Sequence, residues 1–314
     1  MPEPAYEDIH LLARNSDWAA ADIHRALRRY VYAGPREWQK LWRNLLLAAG
    51  ATFLVSGIFF FFAYNWEALR GGTKIGIAVG AFLLTVLLSL TAPLPRTAQL
   101  VLQTATVCLI GAVLAVLGQV YQTGANAYDL FLAWTLLSIP WIAATSFAPL
   151  WLVAVALVNV TFITYTQQAG VGAPFLITGM LLFVLNVVCW LVIHYLRRAR
   201  PGFRWLLQLI ACWAVLLATV NVSAGAFDDH PRQLLLTVLL AVVTYAGWCR
   251  LAIRERSIYY LALVGAGSLV TVAFLALRWL GSDNSFLPAG LIILVGVTAL
   301  VHLLNRQNKR WRAN

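Results

Sequence analysis

Long apolar runs alternate with short polar pieces from position 44 to position 304. A helix needs roughly 20 mostly apolar residues to cross the hydrocarbon core of a bilayer. Ten segments meet or approach that length: Asn44–Tyr64, Lys74–Leu90, Ala98–Val120, Tyr128–Thr145, Phe147–Thr166, Pro174–Leu196, Phe203–Val222, Gln233–Cys249, Ile258–Leu277 and Phe286–Leu304. The pattern predicts an all-α polytopic transmembrane bundle of ten spans. The fourth and fifth segments are so close that they form either a tight helical hairpin or one broken helix, and Pro140 predicts a kink in the fourth.

Residues 1–43 read differently. Ser16 is placed to cap a helix running to about Val31, with Trp18, Ile23, Leu27, Tyr30 and Val31 roughly along one face and Arg25, Arg28 and Arg29 flanking it. Gly34 ends that helix, and Pro35 opens a second one carrying Trp38, Leu41 and Trp42. Such a basic amphipathic segment suits the inner leaflet or the side of the bundle. The expected organisation is therefore a cytoplasmic helical segment over 1–43, a transmembrane bundle over 44–305 and a basic tail over 306–314. The start of the chain lacks the apolar stretch of a cleavable signal peptide, so the first span is expected to act as an uncleaved anchor.

Composition agrees with the runs. Of the 314 residues 61% are hydrophobic and 11% charged, and the mean hydropathy is +0.77. Soluble domains carry about 25% charged residues, so the apolar surplus here has to face lipid. The net charge of +11 would suggest nucleic acid in a soluble protein. Its placement excludes that reading. With the N-terminus inside, the cytoplasmic pieces hold 19 of the 23 Lys and Arg residues, and the other side holds Arg70, Lys74, Arg232 and Arg278. That asymmetry is the positive-inside signal. It predicts both termini in the cytoplasm of a bacterial inner membrane, and it favours ten spans over nine, because losing one from the middle would put Arg197–Arg204 and the tail on the wrong side.

Catalytic chemistry is hard to find. No Asp, Glu, Lys or Arg falls at the middle of a span, where buried charge marks ion paths and proton relays. No HExxH, GxSxG, phosphate-binding loop or dinucleotide glycine pattern occurs. Cys108, Cys189, Cys212 and Cys249 lie apart inside apolar stretches and predict neither a disulfide nor a metal site. No cofactor and no catalytic residue is assigned. Asn159 and Asn186 are expected to hydrogen-bond between helices, and His194 and His302 sit at span ends. Gly76 with Gly80, and Gly265 with Gly267, have the small-residue spacing of close helix contacts.

Two segments between spans stand out. One is Asn65-Trp66-Glu67 after the first span. The other runs from Gly118 to Leu130 and holds Gln119, Tyr121, Gln122, Thr123, Asn126 and Asp129, with Trp134 a turn further on. Amides supply donors and acceptors together, so these side chains can line a polar pocket for a ligand or partner at the outer membrane boundary. Trp and Tyr also gather at interfaces, and Gly and Asn make turns, whatever the function.

These residues carry a resemblance. Gly118-Gln119-Val120-Tyr121-Gln122-Thr123-Gly124-Ala125, then Tyr128-Asp129-Leu130-Phe131 and Trp134, is similar to the signature of a family of bacterial predicted multi-pass membrane proteins with a domain of unknown function. The Asn65-Trp66 pair with Leu69 and Lys74 fits it too, and the likeness spans about residues 10–165. It implies an inner-membrane location but supplies no activity. Some members are encoded beside another multi-span protein and a membrane-anchored protein named for a GDYXXLXY motif, which implies an envelope complex. Asn126-Ala127 stands where the family usually has an acidic residue or proline, so a strict need for charge there is in doubt.

The expected partners are membrane lipids and other envelope membrane proteins, without nucleic acid. The leading expectation is a non-enzymatic complex subunit or scaffold. The alternatives are a permease for a neutral, lipophilic or lipid-linked substrate, and a lipid-modifying enzyme using Glu67 or Asp129.

Overall fold

The computed structural model describes residues 9, 13, 15–30, 32, 34–43, 45–46, 49, 53, 64, 66–124, 126–168, 174–197, 200–227, 231–280 and 286–313. The chain falls into two units, Met1–Gly71 and Gly72–Asn314.

In the N-terminal unit, α1 spans Ala20–Tyr30. Its start differs from the predicted one. The helix opens at Ala20, where the Asp22 carboxylate accepts from the Ala19 N–H at 3.3 Å, so an acidic side chain in the first turn closes the end. Of the predicted apolar face, Ile23 is half-buried and Leu27 buried while Arg25 and Arg28 stay exposed; Trp18 lies before the helix and is exposed, and the side chains of Tyr30 and Val31 lie outside the described residues. A second helix, α2, covers 35–43. Pro35 takes its first position, and the Glu37 carboxylate accepts from the Gly34 N–H at 2.9 Å. Trp38, Leu41 and Trp42 remain exposed on it. The first predicted span, Asn44–Tyr64, lies almost wholly outside the described residues.

The second unit is all helix among the described residues: α3 Gly71–Thr91 (which starts one residue earlier), α4 Arg96–Tyr121, α5 Ala127–Ala144, α6 Ala148–Gln168, α7 Phe175–Arg197, α8 Arg204–Gly225, α9 Pro231–Glu255, α10 Ile258–Leu280 and α11 Phe286–Ala313. A one-turn 3₁₀ helix, Pro201–Phe203, leads into α8. Nine helices among the described residues are long and apolar enough to cross a membrane, and they correspond one to one with the second to tenth predicted spans. In a bilayer core the backbone has no water to bond, so each apolar run closes its hydrogen bonds within itself as a helix.

The fourth and fifth segments are two helices. The break is held by side chains: the Thr145 hydroxyl donates to Gln103 Oε1 of α4 at 3.0 Å, and the Trp151 indole donates to the Thr145 carbonyl at 3.1 Å. α5 continues through Pro140 to Ala144. α11 runs on through the basic tail to Ala313.

α8 is the axis of the packing. It contacts α7, α9 and α10, and Leu206, Ile210, Ala211, Ala214, Val215 and Ala218 are buried along it. Small residues bring helices close. A methyl at Gly179 would overlap the Asn221 side chain, one at Gly265 would overlap Leu300, and one at Gly267 would overlap Val215. The expectation for Gly265 and Gly267 is met. For Gly76 and Gly80, nothing among the described residues lies within 4 Å of a Cβ built at either, and the neighbouring first predicted span lies almost wholly outside those residues. Large side chains such as Leu83, Leu87 and Leu90 are exposed on α3, as lipid-facing residues should be.

Polar groups inside the spans are mostly paired. Asn159 Nδ2 donates to Asn186 Oδ1 at 3.1 Å, Asn186 Nδ2 donates back to Asn159 Oδ1 at 2.7 Å, and each also donates to the carbonyl one turn earlier in its own helix. This closed amide pair joins α6 to α7. Asn221 Nδ2 of α8 donates to the Leu176 carbonyl at 3.0 Å and to Thr237 Oγ1 at 3.2 Å, tying α8 to α7 and α9.

A polar groove where α4 meets α5

α4 ends in a left-handed turn. Gln122 has φ 46° and ψ 47°, its N–H donates to the Gly118 carbonyl, and the Thr123 N–H reaches the same carbonyl at 3.4 Å. This is the Schellman pattern, in which a residue just past the helix reverses the chain. Glycine normally fills that place, because a Cβ is crowded at positive φ. Here a glutamine holds it, and Gly124 follows at φ 62°. Asn126 then opens α5. Its N–H donates to Asp129 Oδ2 at 3.2 Å, the acidic half of a capping box.

Between the two helix ends lies an open groove of about 750 Å³. Its rim carries Gln119, Gln122, Thr123, Asn126 and Asp129, and its floor is apolar, with Leu114, Leu117, Leu130 and Ala133 among the side chains. Five of the residues singled out from the sequence therefore meet at one place. Residues 17–151 match a family described as "Predicted membrane protein (DUF2157)". Over that stretch the chain is similar to the family. No curated protein and no solved structure matches the chain. The matched stretch contains the whole groove and stops before the α8-centred core begins.

The remaining candidates fall elsewhere. Tyr121 is exposed and lies off the groove wall. Trp134 is a packing residue: its indole donates to the Val107 carbonyl at 2.7 Å, and Gly111 of α4 leaves room for its ring. Trp66 and Glu67 belong to the N-terminal unit, in a turn closed by the Leu69 N–H on the Trp66 carbonyl at 3.2 Å, with Glu67 exposed. Asn65 lies outside the described residues.

The groove leans on its neighbours. The Tyr128 N–H donates to Gln168 Oε1 of α6 at 3.1 Å, and the Tyr128 and Tyr165 rings meet edge to face at 5.4 Å. Gln168 and Tyr165 were not singled out from the sequence. A polar residue at a helix end, 40 positions from its partner, gives no local signal.

Chemically, the groove offers neutral donors and acceptors over an apolar floor. Its carboxylate already accepts a backbone hydrogen bond, and no cationic side chain lines it. The arrangement suits recognition of a neutral polar segment more than proton transfer, which needs an acid or base within reach of a reacting atom.

Proposed function

We propose that this multi-pass membrane protein is a non-enzymatic subunit or scaffold of an envelope complex in a bacterial inner membrane, and that the α4–α5 groove seats a neighbouring membrane protein. The supporting observation is the convergence of Gln119, Gln122, Thr123, Asn126 and Asp129 on one open, apolar-floored groove. The occupant that fits is the end of a partner's apolar helix, with the neutral polar residues that follow it pairing with the amides. The left-handed Gln122 supports the same reading, since backbone strain persists where surrounding structure or function requires it. The 19 to 4 distribution of Lys and Arg supports a reading with the termini in the cytoplasm and the groove at the opposite face.

Two other readings have less support. The permease reading rests on a pocket of about 380 Å³ beside Asn159 and Asn186, but those amides are occupied by each other and the other lining residues are apolar. The enzyme reading needs Glu67 or Asp129 as acid or base, and the carboxylate that lines the groove, Asp129, already accepts the Asn126 N–H.

The test is photo-crosslinking in native membranes. A photoreactive residue at Gln122 should give one discrete protein adduct. Q119A with N126A should abolish it, and a probe at exposed Leu236 on α9 should not give it. An adduct that survives the groove substitutions, or equal diffuse adducts at both probes, overturns the proposal.

A further inference from the structure

A second polar-walled pocket, of about 550 Å³, opens where α7 and α9 end and where α8 and α10 begin. Arg204, at the start of α8, and Arg256, just past α9, both line it. Among the described residues neither guanidinium has a carboxylate within ion-pairing distance, although Glu255 lines the same pocket. Arg256 donates to the Trp311 carbonyl of α11, at a long 3.4 Å. Two cations share one concave space with a single anion.

The walls are built. His194 stacks on the buried Trp190 at a ring separation of 4.7 Å. Trp190 in turn meets Trp248 at 5.7 Å and Tyr260 at 6.2 Å, both edge to face. This aromatic block fixes the imidazole and the Tyr260 ring where they border the pocket. The Tyr259 hydroxyl donates to the Gln208 carbonyl at 2.8 Å, which ties the start of α10 to α8 beside it. Arg256 itself stands at φ 51°, with the Ser257 N–H donating to the Ala252 carbonyl at 2.9 Å. Only two non-glycine residues among those described have positive φ, Gln122 and Arg256, and each lines one of these two pockets.

We infer that this pocket binds a phosphate group through Arg204 and Arg256. Planar guanidinium groups match phosphate oxygens in pairs. The pocket sits at the ends of four apolar spans, so the phosphate of an anionic phospholipid can enter it while the acyl chains lie along the helices. A small soluble phosphate compound presents the same group. This site is independent of the α4–α5 groove.

The test uses the full chain purified in detergent. Retention of dioleoyl phosphatidylglycerol is measured by native mass spectrometry, and the thermal shift caused by inorganic phosphate is measured in parallel. R204Q with R256Q should lower affinity for the phosphate-bearing probe roughly tenfold or more, since hydrogen bonds to charged groups contribute more than neutral ones. R278Q, which removes a cation from the end of α10 far along the chain from this turn, should change nothing. Lipid loss without any phosphate shift assigns the head group, and a phosphate shift that disappears in the double variant assigns a soluble phosphate. If the glutamine pair does not fold, R204K with R256K keeps the charges but not the planar forks, and roughly a threefold loss is expected. Unchanged affinity in the folded variants, or an equal loss in R278Q, overturns the inference.

Discussion

The α8-centred core and the α4–α5 corner are both made of apolar helices, yet they are packed very differently. In the most apolar 18 residues of each span, 56% are buried in α8, against 22% in α4 and 11% in α5. α8 is enclosed by small-residue contacts and an asparagine that bridges two neighbouring helices. The corner keeps its amides on an open rim. The DUF2157 match lies over the corner and ends at residue 151, before α8. The densest packing thus lies outside the matched part, although α11, also outside it, has 0% of its window buried. A groove left open beside loosely packed helices is where the recognition proposed above can be tested apart from stability.

Substitutions can break or sharpen that contrast. The largest effect is expected at Gly179, where an alanine Cβ would push the Asn221 side chain off its bonds to Leu176 and Thr237. G179A should cost about 2–4 kcal/mol, combining overpacking with a buried amide left unpaired, read as a lower Tm in detergent. N159A strands the Asn186 amide and should cost about 1–2 kcal/mol, near the upper range for hydrogen bonds within membranes. Because the two amides pair only with each other across the helices, N159A with N186A should cost less than the sum of the single changes, which a double-mutant cycle measures. W134F removes the indole bond to Val107 while keeping most of the ring, and should cost about 1 kcal/mol. At the corner the sign reverses: Q122G relieves a left-handed glutamine and should stabilise the protein by a few tenths to about 1 kcal/mol. N126A removes the cap of α5 and should cost about 1 kcal/mol, whereas Q119A should move Tm least of all; together they should abolish the crosslink. If they destabilise the chain as much as G179A does, the corner is a structural joint rather than a recognition surface.

Much of this was legible in the sequence, for identifiable reasons. Nine apolar runs gave nine helices because a bilayer leaves their backbones no alternative. The groove was legible because Gln119 to Asp129 are contiguous and a single turn brings them together. The phosphate pocket was not, since His194, Arg204, Arg256 and Tyr260 come from four helix ends and meet only after packing. The partners of Asn221, Leu176 and Thr237, lie on other helices, so its own stretch of sequence gives no sign of them. The Gly76 and Gly80 spacing meets no partner among the described residues, and the first predicted span lies almost wholly outside them.

The proposed topology places the two pockets on opposite sides of the membrane, as alternation along α4 to α10 requires. The direct measurement is labelling of single cysteines at Gln122 and Ser257, in a background without the four native cysteines, using a membrane-impermeant maleimide on intact spheroplasts and on lysed ones. Cysteine at 122 should label in intact spheroplasts, and cysteine at 257 only after lysis. Labelling of both from the same side, or of 257 alone before lysis, would contradict the account.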